Sequence, residues 1–316
     1  MALDLEILDR PPAEGARIVA QALLAEARER AGRLGSPVVD DVLHDFRVSV
    51  RRLRSTLRAW RDVLGPAVRD KDLRRLRRAA RATGDARDAE VLLAWIGQAS
   101  RDLPAAQRPA VDWLARRLAG KTRAADLAVT GDRFVAATGS LARRLVGRRA
   151  PTSGEAFGRA VAERIRRQAA RVASRLSRVG SLDDAPDAHR ARIEGKRLRY
   201  LLEPLRHTAG VETEAAVEAL KDLQDLLGEL NDALAAREAL RAAREESADP
   251  ELRPGLAALE ARAAGRAAAA FARLRRDVLS RGSGAPLEPA LAVASALETR
   301  GVRRPPSRTR KRNPDP

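Results

Sequence analysis

His44-Asp45-Phe46-Arg47-Val48-Ser49-Val50-Arg51-Arg52-Leu53-Arg54-Ser55-Thr56-Leu57-Arg58 sets two classes of side chain at helical spacing. At about 100° per residue from His44, the side chains of Arg47, Arg51, Arg54 and Arg58 fall between about 280° and 360°. Phe46, Val50, Leu53, Leu57 and Trp60 fall at about 160–240° on the same wheel. The first set is a row of cations following one another by about one turn, ~5.4 Å. The second is an apolar stripe that needs burial against other elements. The pattern predicts a helix with a basic edge beside a core-facing stripe, and Arg52 points away from the row.

The pattern returns as His189-Arg-Ala-Arg192-Ile-Glu-Gly-Lys196-Arg197-Leu-Arg199-Tyr200. Both copies read His-x-x-Arg-x-x-x-(Arg/Lys)-Arg-Leu-Arg, and two of the chain's 3 histidines open them. His189, Arg192, Lys196 and Arg199 form the second row. It ends early, because Glu203 stands where Arg58 stands in the first copy, and Arg197, like Arg52, points elsewhere. The match runs on: Lys221 takes the place of Arg77, and Glu229-Leu-Asn231-Asp232 mirrors Asp85-Ala-Arg87-Asp88. An internal duplication of a helical unit explains this. The copies are unequal, since Glu218, Asp222 and Asp225 replace Arg74, Arg78 and Arg81. The first half is therefore expected to dominate any anion binding.

The chain around these segments has 316 residues, 44% hydrophobic and only 3% aromatic, with net charge +18. Ala, Leu, Arg and Glu suit helix, and no sustained alternating run supports a strand, so the expected class is all-α. Cysteine is absent, which excludes disulfides and thiolate chemistry and fits a cytoplasmic protein. No basic leader is visible at the start and no run of about 18 apolar residues occurs, so neither a signal peptide nor a membrane span is expected. The charge points to a polyanion: nucleic acid, an anionic membrane surface or a phosphate polymer. An arginine-rich genome accounts for scattered arginines, but not for two matching rows.

Taken in order, helices are expected over about 14–33, through His44 to Leu64, and from Ala67 to Thr83. Gly84 reads as the cap of the last, with Asp85 starting another. A long helical pattern follows Pro104 to about Arg144, bent near Gly120 or Gly131. Residues 147–154 read as a linker. Helices then cover about 155–179, 187–208 with a kink at Pro204, and 212–227 closed by Gly228. Two more cover about 255–281 and 286–299. Residues 301–316 lack apolar periodicity and read as a disordered basic tail.

Chemistry is limited by what is missing. There is no P-loop, His-Glu-x-x-His, Gly-x-Ser-x-Gly or Glu-x-Glu-x-Lys pattern, so an enzyme is not expected. A metal is not expected either, because each leading histidine is followed on its own face by cations that repel one. The histidines are left with two roles: a structural bond at a helix start, or one more donor to an anion. The arginines can be a solvated face, or be paired with carboxylates such as Asp88 and Asp232. Anion binding is favoured, because like charges held close together cost free energy until an anion answers them. Arginine suits phosphate, being planar, forked and permanently charged.

These paired motifs, together with Arg87-Asp88 and Leu220-Lys221-Asp222-Leu-Gln224-Asp-Leu-Leu-Gly228-Glu-Leu-Asn231-Asp232, resemble the conserved histidine α-helical domain (CHAD) family over about residues 5–300. The resemblance implies two antiparallel four-helix bundles, 5–146 and 155–300, related by a pseudo-two-fold axis around a basic cavity. It implies inorganic polyphosphate as partner, without a cofactor, and association with polyphosphate granules. It implies phosphate contacts from His44, Arg47, Arg51, Arg54, His189, Arg192, Lys196 and Arg199, to which Arg58, Arg77, Arg81 and Lys221 are added. The alternatives are a nucleic-acid or nucleoid-associated binding protein and, behind it, a metal-dependent phosphohydrolase. The scarcity of aromatics argues against base stacking on single strands, and leaves duplex-backbone binding open.

Overall fold

Phe46, Val50, Leu53 and Leu57 are completely buried and Trp60 nearly so, which places the apolar stripe of the first His-led segment in the core. The computed structural model describes residues 5–34, 40–122, 127–146, 155–206 and 213–302. Among these residues the regular structure is helical throughout, with no strand. The first half contains α1 (Pro12–Gly32), α2 (Asp40–Ala59), the short α3 (Arg61–Leu64), α4 (Asp70–Ala82), α5 (Gly84–Ala99), α6 (Arg108–Thr122) and α7 (Leu127–Val146). The second contains α8 (Phe157–Leu176), α9 (Ala185–Leu202), α10 (Glu214–Glu246), α11 (Arg253–Asp277) and α12 (Glu288–Val302).

Helix α1 packs on α2 and α7, and α4 packs on the same two. The Phe46 ring meets Phe134 of α7 edge to face, 5.1 Å between centroids. In the second half α9 lies between α8 and α10, and α12 closes against α8. One continuous buried cluster runs through both sets. A second cluster draws on both halves: Ile96 and Leu114 of α5 and α6 meet Leu240, Leu256 and Leu259 of α10 and α11. Each such side chain contributes roughly 1.5–3 kcal/mol when withdrawn from water.

The halves are joined at Phe157. Its ring sits 4.8 Å from that of Trp60, and its amide donates to the Arg10 carbonyl at 2.7 Å. A Cβ at Gly15 of α1 would collide with the same ring, so this contact needs glycine there.

Several helix ends differ from the sequence reading. α2 stops at Ala59 instead of reaching Leu64. Arg164 of α8 takes over there: it donates to the Ala59 carbonyl at 3.0 Å, pairs with Asp62 at 2.5 Å and lies 4.0 Å above the Trp60 ring. An otherwise orphaned helix-end carbonyl is thus satisfied by tertiary contact. Gly84 opens α5 and does not cap α4 in a left-handed turn. After Pro104 the described residues form α6 up to Thr122 and α7 from Leu127, the residues between lying outside the described ones, and Gly131 lies inside α7 against the Ala31 backbone. α9 ends at Leu202, before Pro204, because a proline disfavours helical backbone in the preceding residue. α10 runs unbroken through Gly228 to Glu246, so that glycine is no cap. The linker at 147–154 and the tail beyond Val302 lie outside the described residues.

Candidate anion-binding site

Helices α2 and α9, the two His-led segments, pack against each other, so the two basic edges face one space. That space is a cleft of about 840 Å³ walled by α1, α2, α9 and α10. Arg51 and His44 enter it from α2, and Arg192, Lys196 and Arg199 from α9. Arg52 and Arg30 also line it.

The cleft is not uniformly basic. Its 15 lining residues include Glu26, Asp45, Asp225, Glu229 and Asp232. Most of these acids are already engaged. Arg30 pairs with Asp45 and, at 3.3 Å, with Glu26. Glu229 pairs with Arg273 of α11. Glu203, at the C-terminal end of α9, holds Arg52 at 2.8 Å and Arg199 at 3.1 Å. Arg51, Arg192 and Lys196 form no ion pair with any described residue.

The three are placed differently. Arg51 donates from Nε to the buried Tyr200 hydroxyl at 2.8 Å, which leaves the terminal amino groups of its guanidinium free. Arg192 passes beside Gly228, where a Cβ would stand 3.7 Å from its Nε, and that Nε is buried without a hydrogen-bond partner. Lys196 is pushed down to about 7, by burial first and then by Arg192, Arg51 and Arg199, against the opposing pull of Asp232. A lysine that gives up its proton near neutrality marks a place where positive charge is unanswered. Gln224, only 6% exposed, lines the same wall with its Nε2 unpartnered. An anion entering here meets two guanidiniums, an ammonium and an amide donor.

The other residues of the rows are spread more widely. Arg47 donates to the Thr83 carbonyl and to its hydroxyl at 3.3 Å, tying α2 to the α4–α5 junction. His189 stands outside the cleft lining, with Nδ1 2.5 Å from the Asn231 side-chain oxygen of α10. Lys221 pairs with Glu218 at 2.5 Å, and Arg81 is exposed at the end of α4; neither is in the cleft lining. Arg54 lies further along α2. Its guanidinium is held below its ordinary value by burial, then by Arg58, Arg197, Arg51 and Arg77. Arg58 is shifted the same way by burial, Arg197 and Arg77. The basic edge of α2 therefore continues past the cleft as a chain of mutually repelling cations.

Sequence reasoning missed Arg52, Arg30, Gln224 and the role of Tyr200. Arg197, set aside as pointing elsewhere, belongs electrostatically to the Arg54–Arg58 group. Tyr200 carried a signal, as the last residue of the second motif. Gln224 lies within the 220–232 motif, but its place in the cleft depends on how α10 crosses α9.

No group of three or more His, Cys, Asp or Glu side chains suited to a metal occurs among the described residues. None of the described helices is long and apolar enough to cross a membrane.

The sequence profile of the CHAD domain matches residues 17–241. Among solved structures, the crystal structure of the CHAD domain from the plant Ricinus communis superposes with a TM-score of 0.65, at 23% identity over 94% of both chains. PptA from Streptomyces chartreusis superposes with a TM-score of 0.67, at 19% identity over 84% of this chain and 98% of that one. At these identities the likeness is one of fold. No curated protein matches the chain.

Proposed function

Because this chain belongs to the CHAD domain family, we propose that it captures inorganic polyphosphate in the α2–α9 cleft, as a binding protein without a reaction of its own. The observation that carries the reading is the meeting of Arg51, Arg192 and Lys196, from both His-led helices, in one cleft without ion pairs to described carboxylates. Phosphate oxygens answer that charge. Arginine forks take them two at a time, and the Lys196 amine regains its proton beside them. A flexible polymer also releases counterions as it binds, so affinity falls with salt by about 0.7 in log–log slope per phosphate contact. The pairing of the two copies around the cleft is what a pseudo-two-fold arrangement of two bundles would give. A cytoplasmic place, at polyphosphate granules, belongs to the same proposal.

The second reading, binding to the backbone of duplex nucleic acid, draws on the arginines outside the cleft. Calorimetric titration at fixed salt separates the two. Long-chain polyphosphate is expected to bind more tightly than duplex DNA at equal phosphate concentration. The triple variant R51A/R192A/K196A should lose most of that affinity while remaining helical by circular dichroism. Unchanged affinity in the triple variant, or displacement of polyphosphate by equal DNA, would refute the assignment.

A further inference from the structure

Beyond the cleft, the C-terminal end of α2 carries Arg58 into two further grooves. One, of about 400 Å³, lies between α2, α3 and α4 and is lined by Arg58, Arg61, Arg74 and Arg77, with Asp70. The other, of about 640 Å³, lies between α2, α3 and α8; Arg58 and Arg61 share it with Arg164, Arg167 and Arg171, with Asp62. Both carboxylates are engaged, Asp70 by Arg61 at 2.7 Å and Asp62 by Arg164 at 2.5 Å. Among the described residues Arg167 pairs only with the exposed Glu163 of its own helix, at 3.6 Å. Arg58, Arg74, Arg77 and Arg171 form no ion pair with a described residue. In the cleft, five carboxylates accompany the cations; here there is one in each groove.

We propose that these grooves form a second anion-binding surface, separate from the cleft, which takes the emerging end of a long phosphate polymer and so grades binding by polymer length. The inference rests on the cleft being the site where that polymer is first held. Continuity comes from α2 itself. Arg51, Arg54 and Arg58 follow one another at three- and four-residue spacing, and neighbours at that spacing lie about 5–6 Å apart on a helix. Successive phosphates can step along such a row. The row joins the cleft to both grooves, and anions lying among Arg54, Arg58 and Arg77 would relieve the repulsion there; Arg197, the fourth member, already has Glu194 at 2.6 Å. Neither groove is lined by an aromatic side chain, so bases have no stacking platform there, and a polymer of phosphate alone is the better fit. A short oligophosphate is satisfied within the cleft and gains nothing from the grooves. A long one gains contacts by remaining bound at both places, as linked binding events do.

The test uses the full chain and three ligands: tripolyphosphate, long-chain polyphosphate and duplex DNA. The variant R74A/R167A/R171A removes exposed groove arginines. A control, R116A/R237A/R253A, removes the same charge from exposed positions on α6, α10 and α11. The groove variant is expected to bind tripolyphosphate like the wild type. It should bind long-chain polyphosphate about tenfold or more weakly, with a salt slope reduced by about 2, at about 0.7 per lost contact. The control should show neither change. Equal losses for both polymer lengths, no loss for the long one, or the same loss in the control would overturn the proposal. A loss confined to duplex DNA would make the surface a nucleic-acid face and overturn it too. Failure of the wild type to bind either polyphosphate would sink the cleft reading itself, a result distinguishable from all of these.

Discussion

Arg51 of α2 donates through Nε to the hydroxyl of Tyr200 on α9, at 2.8 Å. This single bond joins the two His-led helices and aims the remaining guanidinium donors of Arg51 at the cleft. Arg199 lies 5.3 Å from the same ring, so one buried tyrosine supports two of the arginines that line the site.

Tyr200→Phe therefore removes an aiming contact and no charge. Polyphosphate affinity is expected to fall about three- to tenfold, with a stability change of about 1 kcal/mol, the usual net worth of such a bond. The salt slope should stay at the wild-type value. Arg51→Ala should lower the slope by about 0.7 as well as the affinity. Parallel titrations of both variants across salt concentrations check the distinction.

Lys196 makes binding depend on pH although the arginines do not titrate. Its amine loses its proton near about 7 in the free protein, and a bound anion restores it. Affinity for long-chain polyphosphate, whose inner phosphates stay ionised, should fall as pH rises from about 6 to about 8, and binding on the alkaline side should take up about one proton. Calorimetry in buffers of different ionisation heat measures that proton. In Lys196→Met both effects should vanish.

The same lysine burdens the unliganded fold. The unfolded chain keeps the proton up to about pH 10.4, while the folded chain releases it near about 7. The unfolded state thus binds more protons across that window, and this group makes stability rise with pH there. The cost is fully present below about 7 and absent above about 10.4. Lys196→Met should raise the melting temperature at pH about 6 and leave it nearly unchanged at pH about 10.5. Thermal scans at the two pH values decide it.

Gly228 of α10 faces Arg192. Alanine there brings a methyl group only to ordinary contact with the Arg192 guanidinium, at 3.7 Å from Nε. Gly228→Ala is expected to stabilise the helix by up to about 1 kcal/mol and to leave binding near normal. Gly228→Leu should fill the cleft and lower tripolyphosphate affinity at least tenfold. Strong binding by the leucine variant would place the ligand elsewhere.

Arg164 is structural by contrast. It closes the end of α2 and lies on Trp60. Arg164→Ala should destabilise the fold by roughly 2–4 kcal/mol, through a lost charge-assisted bond, an unsatisfied carbonyl and a lost cation–π contact. The folded fraction should still bind tripolyphosphate normally. Urea denaturation and titration below the transition check both statements.

Much of this was legible in the sequence because periodicity reports which face of a helix is buried. Phe46, Val50, Leu53 and Leu57 were placed correctly on that ground alone. The matching His-led segments marked the two helices that now meet across the cleft. Glu203 was recognised as ending the second row, and it neutralises Arg52 and Arg199. Helix ends were harder to read. Whether a glycine caps a helix or lies within it depends on packing, and Gly228 lies inside α10, facing Arg192. The partners of Arg47 and His189 lie off their own helices, Thr83 at the α4–α5 junction and Asn231 on α10, and a wheel drawn on one helix cannot see them. The inequality of the halves was visible as charge. The two arginine grooves at the end of α2 are not an expression of that inequality alone, because one of them draws Arg167 and Arg171 from α8 of the second half.

The central claim is that a phosphate polymer is held by Arg51, Arg192 and Lys196 between α2 and α9. The most direct measurement is a crystal structure of the full chain with tripolyphosphate. The account predicts phosphate oxygens at about 2.7–3.1 Å from the guanidiniums of Arg51 and Arg192 and from Lys196 Nζ. Ligand bound only on the outer arginines, with the cleft free of phosphate at saturating concentration, would contradict it.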